Sequence, residues 1–70
     1  MEESDMTNEF IKVINKEYGT NLTGVSPKFG GKGILNNVKR LIVKDFGNGL
    51  GRVLYVDKQN RLVANNMENI

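Results

Sequence analysis

Five of the chain's eight glycines and its only proline, Pro27, fall between Gly19 and Gly33, and no regular element of ordinary length crosses such a stretch. The break divides 70 residues into an N-terminal piece that must bury itself against something downstream and a C-terminal piece more basic than the chain as a whole. Neither part is long enough for a core of its own, so the expectation is one small domain over 1–70, with residues 1–5 and 66–70 frayed. The class expected is α+β.

Before the break, Phe10, Ile11, Ile14 and Tyr18 follow the spacing of one helical stripe, which predicts an amphipathic helix over about 7–18. Thr7 is suited to cap its first turn, and Met6 and Ile11 stand where a hydrophobic staple would pack. Gly19 supplies the left-handed residue that ends helices. Lys12, Asn15 and Lys16 fall on the opposite, solvated face. Within the break, Leu22 and Val25 suit a third short strand near 21–26.

After the break, Ile34, Leu35, Val38, Leu41, Ile42 and Phe46 fall within roughly 140° at 100° per residue, which predicts a second amphipathic helix over about 34–46. Read with period two, Val38, Arg40, Ile42, Lys44 and Phe46 mix charge and apolar groups on one face, which argues against a strand. Gly47 would close that helix. Val43 lies outside the stripe, and Asp45 sits at the unfavourable end of the dipole.

The stretch KFGGKG then gains a context, because glycine amides at a helix mouth favour an anion. Lys28 and Lys32 would add charge beside Gly30, Gly31 and Gly33, while Asn36, Arg40 and Lys44 continue a polar ridge along the helix. The residue after Gly31-Lys32 is Gly33 rather than Ser or Thr, so the phosphate-loop pattern of nucleotide hydrolases is absent. Gly30-Gly31-Lys32-Gly33 resembles the GxxG loop of the KH nucleic-acid module, which implies contact with a nucleic-acid backbone. Ser26-Pro27 stands where that module has a helix, and Asn36 where it has an aliphatic residue, so the chain is not assigned to it.

The segment LGRVLYVDKQNRLVAN reads as a hairpin over about 52–65, with Asp57 opening a type I turn and Asn60 in the left-handed position. The expected register puts Val56 opposite Leu62 and Leu54 opposite Ala64 on one face, with Val53, Tyr55 and Val63 on the other. A lone hairpin is marginal, so it must gain the third strand or pair edge to edge with a second copy. Two helices followed by a hairpin bearing Arg52, Lys58 and Arg61 near its ends resemble the layout of a winged helix, in which helix and wing contact DNA together.

Charge is uneven along the chain. Lys28 to Arg61 carries eight basic residues against Asp45 and Asp57, a net of +6. A field of that sign attracts an anionic partner. With no histidine or cysteine, with Ser4 and Ser26 lacking a base, and with Asp45 and Asp57 alone in their segments, neither a catalytic triad nor a metal site is expected, nor a cofactor. The acidic first residues are unlike a signal peptide and no apolar run approaches about 20 residues, so a cytoplasmic protein without membrane contact is expected. The functional expectation is a non-enzymatic domain that contacts a DNA or RNA backbone through the glycine loop, the basic helix face and the hairpin tip. The alternative is an inhibitor or adaptor docking on an acidic protein surface through the loop and hairpin edge.

Overall fold

The computed structural model describes residues 2–31 and 36–70, with side chains described from residue 9 onward. One helix, α1 (Glu2–Tyr18), precedes four strands: β1 (Gly24–Val25), β2 (Lys39–Asp45), β3 (Leu50–Val56) and β4 (Arg61–Asn69). They form one mixed sheet in the order β1-β4-β3-β2. β2, β3 and β4 run as an antiparallel meander, and β1 joins β4 in parallel. The class is α+β.

The helix starts at Glu2, so Thr7 lies inside it rather than capping it, and the staple drawn through Met6 falls outside the described side chains. Its C-terminus is the one expected: Gly19 has φ 70° and donates to the Asn15 carbonyl at 2.8 Å. Ile11 and Ile14 are buried with Tyr18 beside them, whereas Phe10 is turned largely to solvent. Asn15, expected on the solvated face, instead acts as a latch. Its Oδ1 accepts from the Leu22 amide and the Thr20 hydroxyl, both at 2.8 Å, while its Nδ2 donates to the Leu22 carbonyl at 3.0 Å. One side chain thereby satisfies both backbone groups of Leu22 and holds that residue under the helix.

No helix spans 34–46. Residues 32–35 lie outside the described part, and Lys39–Asp45 is a strand paired with β3 from Lys39↔Val56 to Asp45↔Gly51. Alternation along this strand has two parities, and the one through Val38, Arg40, Ile42 and Lys44 is not the one that carries the core. The other parity places Leu41 and Val43 together, and both pack against the core, while Arg40 and Ile42 turn to the opposite face. Val43, the residue the helical stripe could not place, marks a bulge at which the register shifts between Ile42 and Lys44. Gly47 and Gly49, with φ 88° and 85°, make the β2–β3 turn.

The core lies on one face of the sheet. Ile11, Ile14 and Leu22 meet Leu54, Val56 and Leu62, with Val25, Leu41 and Val43 at the margin. Val53 and Val63 are also buried but stand outside that cluster, on the other side. The turn between β3 and β4 follows expectation: Asn60 has φ 63°, its amide donates to the Asp57 carbonyl at 3.0 Å, and Val56 faces Leu62. A second bulge follows immediately, so Ala64 faces Tyr55 rather than Leu54, which faces Asn65. The tail expected to fray is instead ladder. β4 continues through Asn66–Asn69 because Leu50 to Val53 supply a partner for each residue.

Candidate anion-binding cleft

The β3–β4 turn is fixed by its own acid. Asp57 Oδ1 accepts from the Gln59 and Arg61 amides at 2.9 and 2.8 Å, and Oδ2 accepts from Arg61 Nε at 2.9 Å. Partial desolvation alone would raise the Asp57 pKa. The hydrogen bonds from Arg61 and Gln59 outweigh it and hold the carboxyl below its ordinary range. Arg61 Nη2 donates in turn to Gln59 Oε1 at 2.7 Å.

Opposite this turn runs the segment that leaves β1. The Ser26 amide donates to the Leu62 carbonyl at 2.8 Å, and its buried hydroxyl accepts from the Lys28 amide at 3.1 Å. Gly30 donates to the Val63 carbonyl at 3.0 Å, so the segment stays on β4 beyond the formal strand. Between the segment, the approach to β2 and the turn lies a cleft of about 370 Å³. Its cations are Lys28, Lys58 and Arg61, its amides Asn36, Asn37 and Gln59, and Pro27, Val38 and Val63 give it apolar surface. A second hollow shares Asn37, Val38, Asp57 and Lys58 and adds Lys39, so four cations stand around one end of the sheet.

The residues singled out from the sequence therefore separate. Lys28, Asn36, Lys58 and Arg61 come together at the cleft. Lys44 and Arg52 face each other near the β2–β3 turn, at the far end of strands about 20 Å long. Lys44 lies 5.7 Å from the centre of the Phe46 ring, and Arg52 Nη1 donates to Asn65 Oδ1 at 3.2 Å. Arg40 belongs to the other face, bound to Glu68 Oε1 through Nε at 3.2 Å and Nη2 at 3.0 Å. The Tyr55 hydroxyl donates to Glu68 Oε2 at 2.6 Å, and the pKa of Glu68 is lowered by that bond first and by Arg40 second.

The glycine cradle does not form as expected. The amides of Phe29 and Gly31 donate to the Ser26 and Lys28 carbonyls at 3.0 and 3.1 Å, and Gly30 is engaged by Val63, so three successive N–H groups are taken up inside the fold. The strand at Lys39–Asp45 removes the helix whose dipole was to lie behind them. Lys32 and Gly33 lie outside the described residues.

Sequence reading missed Asn37, Gln59 and Val63 as cleft residues. Asn37 carried a signal, since it adopts φ 59° and asparagine is among the few residues that tolerate that region. Among the described residues no group of three or more acids could hold a metal, and no helix is long and apolar enough to cross a membrane. No known protein family, curated protein or solved structure matches the chain.

Proposed function

We propose that this chain is a small nucleic-acid-binding module that contacts the phosphate backbone at the cleft end of its sheet, without catalysing a reaction. One observation carries the reading: Lys28 is brought to the same cleft as Lys58 and Arg61 of the β3–β4 turn, and the one acid among the described lining residues, Asp57, is already hydrogen-bonded by Arg61 and by two amides. A phosphate entering there meets positive charge and amide donors. The support comes from side chains around the cleft and not from glycine amides at a helix mouth.

Fluorescence anisotropy with labelled single-stranded and duplex oligonucleotides tests it. Three phosphate contacts on a single strand predict an affinity loss of about 20-fold between about 50 and about 200 mM salt. Lys28→Ala with Lys58→Ala should weaken binding to all sequences alike and flatten the salt slope by about one to two units, whereas Lys44→Ala at the far end should change little. Absence of binding at low salt, or equal loss from the Lys44 variant, removes the reading.

A second reading rests on β2. Among the described residues nothing pairs with its outer edge, and Ile42 is 51% exposed beside Lys39, Arg40 and Lys44. That edge would suit an adaptor that takes an extended acidic strand from a partner protein. A complex abolished by a proline at Ile42 but indifferent to Lys28→Ala would favour it over the first.

A further inference from the structure

The cleft is more than a patch of positive charge. The partly covered Val38 and the exposed Pro27 give it apolar surface over the buried Val63, and Asn36, Asn37 and Gln59 bring amides to it. Bare phosphate would use the cations and leave the apolar part without a partner. A nucleoside phosphate would use every part of the lining, with its base edge hydrogen-bonded by amides, its flat apolar surface against valine and proline, and its phosphate near Lys28 and Lys58.

Size limits the ligand as well. A volume of about 370 Å³ lies at the lower end for small-molecule clefts and matches one nucleotide unit. A base stacked and paired in a duplex presents neither its face nor its Watson–Crick edge to such a cleft, so the base must be unpaired. None of the described residues lining the cleft is aromatic, so amide hydrogen bonds and apolar contact, rather than stacking, would hold the base.

We propose that the cleft binds a single unpaired nucleoside 5′-phosphate, supplied either as a free mononucleotide or as the phosphorylated end of a single strand. The assignment rests on the nucleic-acid reading above and sharpens it. It is tested by following the backbone amide resonances of the intact protein during titration with inorganic phosphate, each common nucleoside 5′-monophosphate, a 5′-phosphorylated single strand, the same strand without the phosphate, and a blunt duplex.

At least one mononucleotide should bind about tenfold more tightly than inorganic phosphate, with shifts concentrated at Asn36–Val38 and Lys58–Arg61. The phosphorylated strand should exceed its unphosphorylated counterpart by a similar factor if strand ends are the source, and should fall behind the mononucleotide if free nucleotides are. Asn36→Ala should bring the mononucleotide toward the affinity of inorganic phosphate, while Lys58→Ala weakens both. Equal affinity for phosphate and mononucleotide, or shifts lying elsewhere, overturns the assignment. If strands and duplex bind equally and independently of the 5′-phosphate, only this assignment fails. If no oligonucleotide binds but a mononucleotide does, the assignment stands and the backbone-binding reading fails. If nothing binds, both fail.

Discussion

Gly51 is the position where the packing of the sheet can be tested most sharply. It lies on β3 between Asp45 of β2 and Glu68 of β4, and a Cβ built there would stand 2.7 Å from the Lys44 carbonyl oxygen and 2.7 Å from Ile70 Cδ1. Ordinary contacts begin roughly 0.7 Å further out. Ile70 could swing away, since it is partly exposed at the chain end, but the Lys44 carbonyl belongs to the bulged edge strand and moves only with its backbone. Forcing a methyl into this space should cost about 1–3 kcal/mol. A chain of this size has roughly 4–10 kcal/mol in total, and its urea dependence is near 1 kcal/mol/M, so Gly51→Ala should lower the unfolding midpoint by about 1–3 M. Gly24→Ala is the control, because nothing lies within 4 Å of its Cβ. It should leave the midpoint unchanged or raise it through the stiffer unfolded chain. Combining Gly51→Ala with Ile70→Ala should recover only part of the loss, the remainder measuring the carbonyl. Urea titration followed by circular dichroism reads all of these. A Gly51→Ala midpoint equal to that of the parent would refute the reasoning.

Three further perturbations address the other supports of the fold. The pKa of Glu68 is lowered below its ordinary 4.5, so its contribution to stability is complete above that pH and is lost as the pH falls through the folded value. Glu68→Gln should therefore flatten the acid limb of a plot of urea midpoint against pH, and Tyr55→Phe should flatten it in part. Asn15→Ala strands the Leu22 amide and carbonyl and should cost about 1–3 kcal/mol, with early loss of hydrogen-exchange protection at Leu22. Leu54→Ala, at a fully buried site, should cost about 2–5 kcal/mol, a large share of the total, and abolish a cooperative thermal transition or bring it close to ambient temperature.

What was legible in the sequence was local. Gly19 ends the helix, Asp57 and Asn60 make their turn, and Gly24–Val25, within the expected 21–26, supplies the short strand, because each rests on the chemistry of one or two residues. The register across the β3–β4 turn was legible only as far as Val56 and Leu62, since the next residue begins a bulge that no alternation pattern announces. Segment 39–45 was misread for a different reason. Helical and period-two patterns coincide over short apolar runs, and the deciding feature was the turn after it: Gly47-Asn48-Gly49 between two β-branched runs is a hairpin signal, not only a helix stop. The polar tail at Asn65–Asn69 has little intrinsic preference for a strand and is held by β3, which is a tertiary effect.

Replacing the second helix by a strand also reorganises the charge that carries the functional reading. On a helix, Arg40 and Lys44 would form one ridge with Asn36. On β2 they fall on different faces, and Arg40 is taken up by Glu68 beneath the Tyr55 hydroxyl. The surplus of cations over Lys28–Arg61 therefore does not spread evenly over the molecule. It collects where acids are absent or already engaged, and the cleft meets that condition because the geometry of the Asp57–Asn60 turn requires Asp57 to bond inward. The residue that builds the turn is thus also the one whose engagement leaves the neighbouring lysines to set the sign of the field, which ties the local folding of the hairpin directly to the ligand it would accept.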